Sequence, residues 1–177
     1  MGDTLITITS IFLAATLMFV FPLMSVSERN DDIAQMSVQT ATVQFVDNVR
    51  QTGRITANNY DAYVQTLSAT GNSYDVEMEV KILDENPGKK TSQTSSDKIG
   101  ENIYYSEYTS QILDKIYNSN TKAMKLKEGD MISVNVKNTN TTIAQMLKNF
   151  FYSISGNDTY KIAASHSGVV MANGNEK

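Results

Sequence analysis

The chain of 177 residues has no cysteine, no tryptophan, one histidine and two prolines. Without thiols there are no disulfides, no thiolate metal sites and no cysteine nucleophile. Without tryptophan and with a lone histidine, few of the side chains that usually run chemistry remain. Charge is thin as well. The formal net charge is −4 and is spread along the chain. It lacks the clustered Lys and Arg that displace counterions from nucleic acid, so no nucleic-acid partner is expected. The sharpest absence is local: no charged side chain lies between Asp3 and Glu28.

What fills that gap is an apolar run from Leu5 to Met24, longer than the ~18–20 residues needed to cross a bilayer. Two readings compete for it. A secretory signal would carry a basic start, a shorter apolar core and a small-residue cleavage site such as Ser25-Val26-Ser27. Met1-Gly2-Asp3-Thr4 has no Lys or Arg and the run is too long, so a retained transmembrane helix over 1–27 is favoured. Only Arg29 lies near either end, so charge does not assign the topology. The Asn/Thr/Ser-rich remainder suits an extracytoplasmic head. Pro22 has no N–H for the carbonyl of Met18, which predicts a kink or loosening there. Thr7, Thr9, Ser10 and Thr16 are of the small polar kind that membrane helix contacts prefer, or are passengers of a single-pass anchor.

Beyond the span the pattern predicts a helical stalk over 28–53 and an α+β head over 54–177. The ~150 residues beyond the span are enough to bury roughly 68–70% of their unfolded surface. Ile33, Met36, Thr40, Phe45 (or Gln44) and Val49 recur at helical steps, with Val43 and Val46 widening the stripe and Gly53 as the stop. Asp31-Asp32 read as a solvated start to the stalk. Thr56 caps a second helix with Tyr60, Val64 and Leu67 on one face, ended by Gly71. Tyr74, Val76, Met78, Val80 and Ile82 alternate with polar residues as a strand. Residues 84–102, with Pro87-Gly88, form a loop. A third helix carries Tyr105, Tyr108, Ile112 and Ile116. Lys127-Glu128-Gly129-Asp130 is a turn before a strand with Ile132, Val134 and Val136. Thr142 and Gln145 form a capping box for a helix whose stripe is Ile143, Met146, Leu147, Phe150, Phe151 and Ile154, closed by Gly156. A last strand runs from about Tyr160 to Met171, and the Asn/Gly/Glu/Lys tail is expected to fray. The result is a small two-layer head with about three strands and packed helices. There is no internal repeat and no heptad run.

Sites of chemistry are sparse. His166 shares parity with Tyr160, Ile162 and Ala164, which places it in or beside the core as a hydrogen-bonded structural residue. Ser165 and Ser167 point the other way, so no triad is expected. Asp75, Glu77 and Glu79 share one strand face; such acids could bind calcium or run glycosidic chemistry, but a solvated face is the simpler reading. Tyr104, Tyr105 and Tyr108 read as helical core packing rather than a sugar platform. Phosphate-cradling glycine loops, G-x-S-x-G and H-E-x-x-H are all missing. The sequence advertises no enzyme, no cofactor and no metal.

An apolar N-terminal helix continuing into a stalk and a small α+β head resembles the type IV pilin and pseudopilin family. Gly2-Asp3-Thr4-Leu5-Ile6-Thr7 looks like the pilin cleavage region, and Pro22 falls near a kinking proline of such helices. Phe45-Val46-Asp47-Asn48-Val49-Arg50-Gln51-Thr52-Gly53-Arg54-Ile55-Thr56, followed by Tyr60, Leu67 and Tyr74-Asp75-Val76, is closer in flavour to TadE-like minor pilins of tight-adherence systems. The likeness covers about the first half of the chain. It departs at Thr7, where the family has a glutamate, and in a leader of only Met1-Gly2 without basic residues.

The resemblance implies processing between Gly2 and Asp3 by a prepilin peptidase. It also implies assembly of apolar helices, through Asp3, Leu5, Ile8, Phe12, Leu13, Thr16, Phe19 and Pro22, on an assembly platform with other pilin-like subunits. In place of the missing glutamate, Asp3 would pair with a neighbour's N-terminus. The protein would then be a filament or pseudopilus subunit at the cell membrane. The alternative is a single-pass tethered binding module.

Overall fold

The computed structural model describes residues 2–84, 103–152 and 161–174, side chains 103 and 150–152 excepted. The loop residues 85–102, Ile154, Gly156 and Tyr160 lie outside these. Helix α1 spans Gly2–Thr52 as one unbroken element that passes through Pro22. It ends where Gly53 takes φ 65°, with the Gly53 N–H donating to the Val49 carbonyl at 2.8 Å.

Strand β1 (Arg54–Thr56) follows, then α2 (Ala57–Ser68), capped by the Thr56 hydroxyl, which accepts from the Asn59 N–H. Strands β2 (Tyr74–Asp84) and β3 (Ile103–Tyr108) lead to α3 (Thr109–Asn118). Then come β4 (Ala123–Lys125), β5 (Met131–Asn138), α4 (Ile143–Tyr152) and β6 (Ala163–Val169). The architecture is α+β, with a four-stranded antiparallel sheet in the order β3-β2-β5-β6 and a two-stranded pair β1-β4. Six strands are described where about three were expected.

One face of the large sheet is apolar because each strand alternates. Val80 pairs with Ile132, Met78 with Val134 and Val76 with Val136, and beyond them Val136 pairs with Ala164. Strands β5 and β6 pack on the second half of α1 and β2 packs on α3, so residues 28–53 form the spine of the head's core. The buried residues of this half are Ala34, Val38, Ala41, Thr42, Phe45, Val46 and Val49, shared between the sheet and α2. This corrects the predicted stripe. Ile33 and Met36 are exposed, and small residues take their place at the contact because a strand layer can approach a helix closely only over short side chains.

The third helix also needs correction. It begins at Thr109, and Tyr105 and Tyr108 belong to β3, in register with Ile82 and Glu79 of β2. Ile112 and Ile116 do fill the core from α3. Where the β2–β3 ladder stops, the Thr109 hydroxyl accepts from the Met78 N–H at 2.7 Å and so replaces a strand partner. The 127–130 turn forms as predicted. Buried Asp130 accepts from the Lys127 N–H and the Leu83 N–H, tying the turn to β2. The last strand is shorter than expected, and the tail is pinned rather than frayed at Asn173 and Gly174. The Gly174 N–H donates to Leu126 O at 2.9 Å, and Asn173 Oδ1 accepts from the Glu128 N–H.

Helix α2 packs behind α1 through aromatic stacking. The Tyr63 ring lies 4.6 Å from Phe45 at 9°, with Tyr60 edge-on to Phe45 at 6.3 Å. Tyr63 rather than Val64 is the buried residue of the middle turn. The Tyr63 and Thr42 hydroxyls share a hydrogen bond of 2.9 Å. Burial pushes the Tyr63 hydroxyl up to about 12. An unfolded tyrosine ionises near 10, so above that pH the unfolded chain binds fewer protons than the folded one. Stability is therefore full below pH ~10 and lost as the pH rises towards ~12, by on the order of 2–3 kcal/mol from this group. Urea midpoints at about pH 9 and about pH 11 are expected to show the fall, and Tyr63→Phe to make it shallower. Tyr60 and Tyr117 are also raised, by burial and by the Asp61 hydrogen bond respectively, so a residual slope is expected in the variant.

Candidate functional site

The first half of α1 stands apart from the head's core among the described residues. Its most apolar 18-residue window has a mean hydropathy of 2.2 and no buried residue. Twenty residues from Leu5 to Met24 at 1.5 Å each span about 30 Å, the thickness of a bilayer's hydrocarbon core. Leu5, Ile8, Phe12, Leu13 and Phe19 are all exposed, as are Asp3, Thr16 and Pro22. The assembly residues named from the sequence thus lie together on one free rod.

The hydroxyls on that rod are satisfied from within. Thr7, Thr9, Ser10 and Thr16 donate to the carbonyls of Asp3, Leu5, Ile6 and Phe12 at 2.7–2.8 Å. Back-bonding of this kind lets a hydroxyl face lipid without an unpaired donor. Gly2 opens the helix, and a Cβ there would meet nothing within 4 Å. Packing inside the chain therefore gives no reason for glycine at that position.

Where the rod meets the head, α4 is fastened to α1. The Thr142 hydroxyl accepts from the Gln145 N–H and donates to Asp31 Oδ2 at 2.6 Å, while Gln145 Oε1 accepts from the Thr142 N–H. The capping box is as predicted, with an added anion: the Asp31 carboxylate sits at the N-terminus of α4, where the helix dipole favours it. Asp31 is therefore buried and bonded rather than a solvated start to the stalk; Asp32 alone keeps that role. Lys148 Nζ lies 3.0 Å from Glu28 Oε1 and closes a second tie. One turn further along α1, the Gln35 amide bonds both backbone groups of Ala163 and covers the β6 edge.

Thr142→Ala removes a cap and a buried partner together, an expected loss of about 1–2 kcal/mol. Amide hydrogen exchange should report it as faster exchange confined to α4, with β2 and β5 unchanged.

The remaining sequence candidates do not converge. His166 is half-buried beside α1, with Nε2 3.7 Å from Asp47 Oδ1, too far for the hydrogen bond expected of it. That carboxylate oxygen instead accepts from Arg50 at 2.8 Å. Ser165 and Ser167 are exposed on the opposite sheet face. On that same face Glu77 accepts from Asn135, and Glu79 accepts from Ser106 at 2.7 Å, as cross-strand pairs do. The described residues include no group of three His, Asp or Glu placed to hold a metal ion. Tyr104, Tyr105 and Tyr108 are exposed on β3 rather than packed in a helix.

Asp31 and the α4 junction were missed as a site. The signal was present in the capping box, but its partner lies 111 residues away in the chain. No family model matches this chain, and comparisons with curated proteins and with solved structures find no match.

Proposed function

We propose that the protein is a pilin-like structural subunit of the TadE-like kind, anchored by the first half of α1 and assembling through it into a membrane-associated filament or pseudopilus. One observation carries this reading. The free apolar rod and the spine of the head are a single unbroken helix, Gly2–Thr52. A tether needs only a linker, whereas a continuous helix fixes the head's position relative to every neighbour that packs on the rod.

Two further features support it. The face of α1 turned away from the sheet keeps Val26, Ile33 and Met36 exposed, which extends the apolar surface past the span at steps of seven and three residues. Gly2 has no packing role among the described residues, which suits recognition by a prepilin peptidase. In this reading Asp3 becomes the mature N-terminus and supplies the acid that Thr7 does not. The head lies outside the cytoplasm, where it coats the filament.

Mass spectrometry of the native N-terminus tests the reading. A chain starting at Asp3 with a methylated amine is the expected result. An intact Met1 would leave the tethered binding module ahead. That second reading draws on the open sheet face, where Tyr104, Tyr108, Glu77, Asn135 and Ser165 stand uncovered by any described element.

A further inference from the structure

Helix α4 is packed the wrong way round for a head surrounded by water. The side turned to the body is Ala144 and Gln145, while Ile143 and Met146 are exposed at 55% and 54% and Leu147 is half-exposed. Ile143 and Met146, from the stripe that predicted a core contact, thus face outward. Apolar residues on one face of a helix, covered by none of the described residues, mark a contact with another phase or another molecule.

The position of α4 selects the occupant. Its ties to α1 are at Asp31 and Glu28, seven and four residues beyond Met24. At 1.5 Å per residue these lie about 10 Å and about 6 Å past the end of the apolar run. The headgroup layer is itself roughly 5–7 Å deep on each side of the hydrocarbon core, and a helix with its side chains is about 10–12 Å across. A helix pinned at these levels therefore reaches into the headgroups whichever way its free face turns.

Its direction agrees. Thr142 meets Asp31 and Lys148 meets Glu28, so α4 descends towards the apolar span as it runs. Its last residue in sequence is Tyr152, a residue type enriched at membrane interfaces. The helix contains no acid, and its one cation is held by Glu28.

We propose that α4 is a second, interfacial membrane element, whose Ile143, Met146 and Leu147 enter the headgroup–acyl boundary of the bilayer that α1 crosses. The inference rests on the reading of α1 as a membrane anchor. It adds a consequence: the head is held to the bilayer at two points, so extraction of the subunit must release α4 as well as withdraw the rod.

The absence of native cysteine makes the test direct. Ile143→Cys, Met146→Cys, Phe12→Cys and Gln51→Cys are each labelled with an environment-sensitive fluorophore in the full chain. The chain is then reconstituted in vesicles of phosphatidylcholine and phosphatidylglycerol, with a quencher on the upper acyl chain. The two α4 positions are exposed, so the substitutions leave the head folded, as circular dichroism should show. Blue-shifted, quenched emission at positions 12, 143 and 146 but not at 51 is the expected result.

Quenching at 12 without any at 143 and 146 would overturn the proposal and leave the anchor standing. In that case, disulfide-linked dimers formed by unlabelled Met146→Cys would assign the face to a second copy of the chain. No quenching at 12 would overturn the anchor itself and this inference with it.

Discussion

Phe12→Lys is expected to abolish lateral assembly through α1 while leaving the head folded. Phe12 lies near the middle of the apolar run, 73% exposed and far from the core. A lysine there costs roughly 2.5–3.5 kcal/mol in a membrane helix, about two orders of magnitude in an equilibrium, before any loss of the phenylalanine's own contribution. In an assembly of parallel rods the same charge faces a neighbour in every copy, so the cost recurs at each contact. The head should not register the change, because an exposed position without partners stays within about 0.5 kcal/mol on substitution. Disulfide cross-linking through Ile33→Cys, placed on the outer face of α1, reads assembly. A urea midpoint in detergent reads the head. Undiminished cross-linking in the double variant would show that the rod is not the assembly element.

The parts of the fold that local chemistry governs were legible in the sequence. The apolar run, the glycine stop at Gly53, the Thr56 cap, the alternation of β2 and β5 and the Thr142–Gln145 box all depend on residues within a few positions of one another. The errors share another cause. Tyr105 and Tyr108 fit a helical spacing with Ile112 and Ile116, yet tyrosines also favour strands, and the pairing with Ile82 and Glu79 decides between the two. β1 and β4 are three residues each and exist because Ile55 and Met124 meet in the core; neither carries a pattern of its own.

On α1 the search for large apolar residues chose Ile33 and Met36, whereas the sheet needed Ala34 and Val38. On α4 the stripe was expected in the core, but its Ile143 and Met146 are exposed. Both misplacements leave apolar side chains outside the head near the end of the span, at Val26, Ile33, Met36, Ile143 and Met146. Pattern alone identifies such a surface as buried. It does not say whether a core, a bilayer or another subunit does the burying.

Gly53→Ala is expected to destabilise the head by about 3–5 kcal/mol. Two penalties coincide there. The residue sits at φ 65°, where a side chain costs roughly 1–2 kcal/mol. The added Cβ would also stand 2.3 Å from the Ala172 carbonyl oxygen, 2.5 Å from Gly174 N and 2.9 Å from Asn173 C. These are backbone atoms that cannot swing aside, because the segment is held from three directions. Met171 N–H donates to Arg50 O, Gly174 N–H donates to Leu126 O, and Arg54 Nε donates to Gly174 O at 2.6 Å.

Gly71→Ala separates the two terms. Its φ is 79°, but nothing lies within 4 Å of the added carbon, so only the conformational cost of roughly 1–2 kcal/mol applies. Urea unfolding of the full chain in detergent measures both variants. Equal losses would mean that the C-terminal segment does not cross Gly53 this closely. The larger loss at Gly53 would show that the C-terminal segment after β6 clasps the end of α1, the joint through which the rod and the head move as one body.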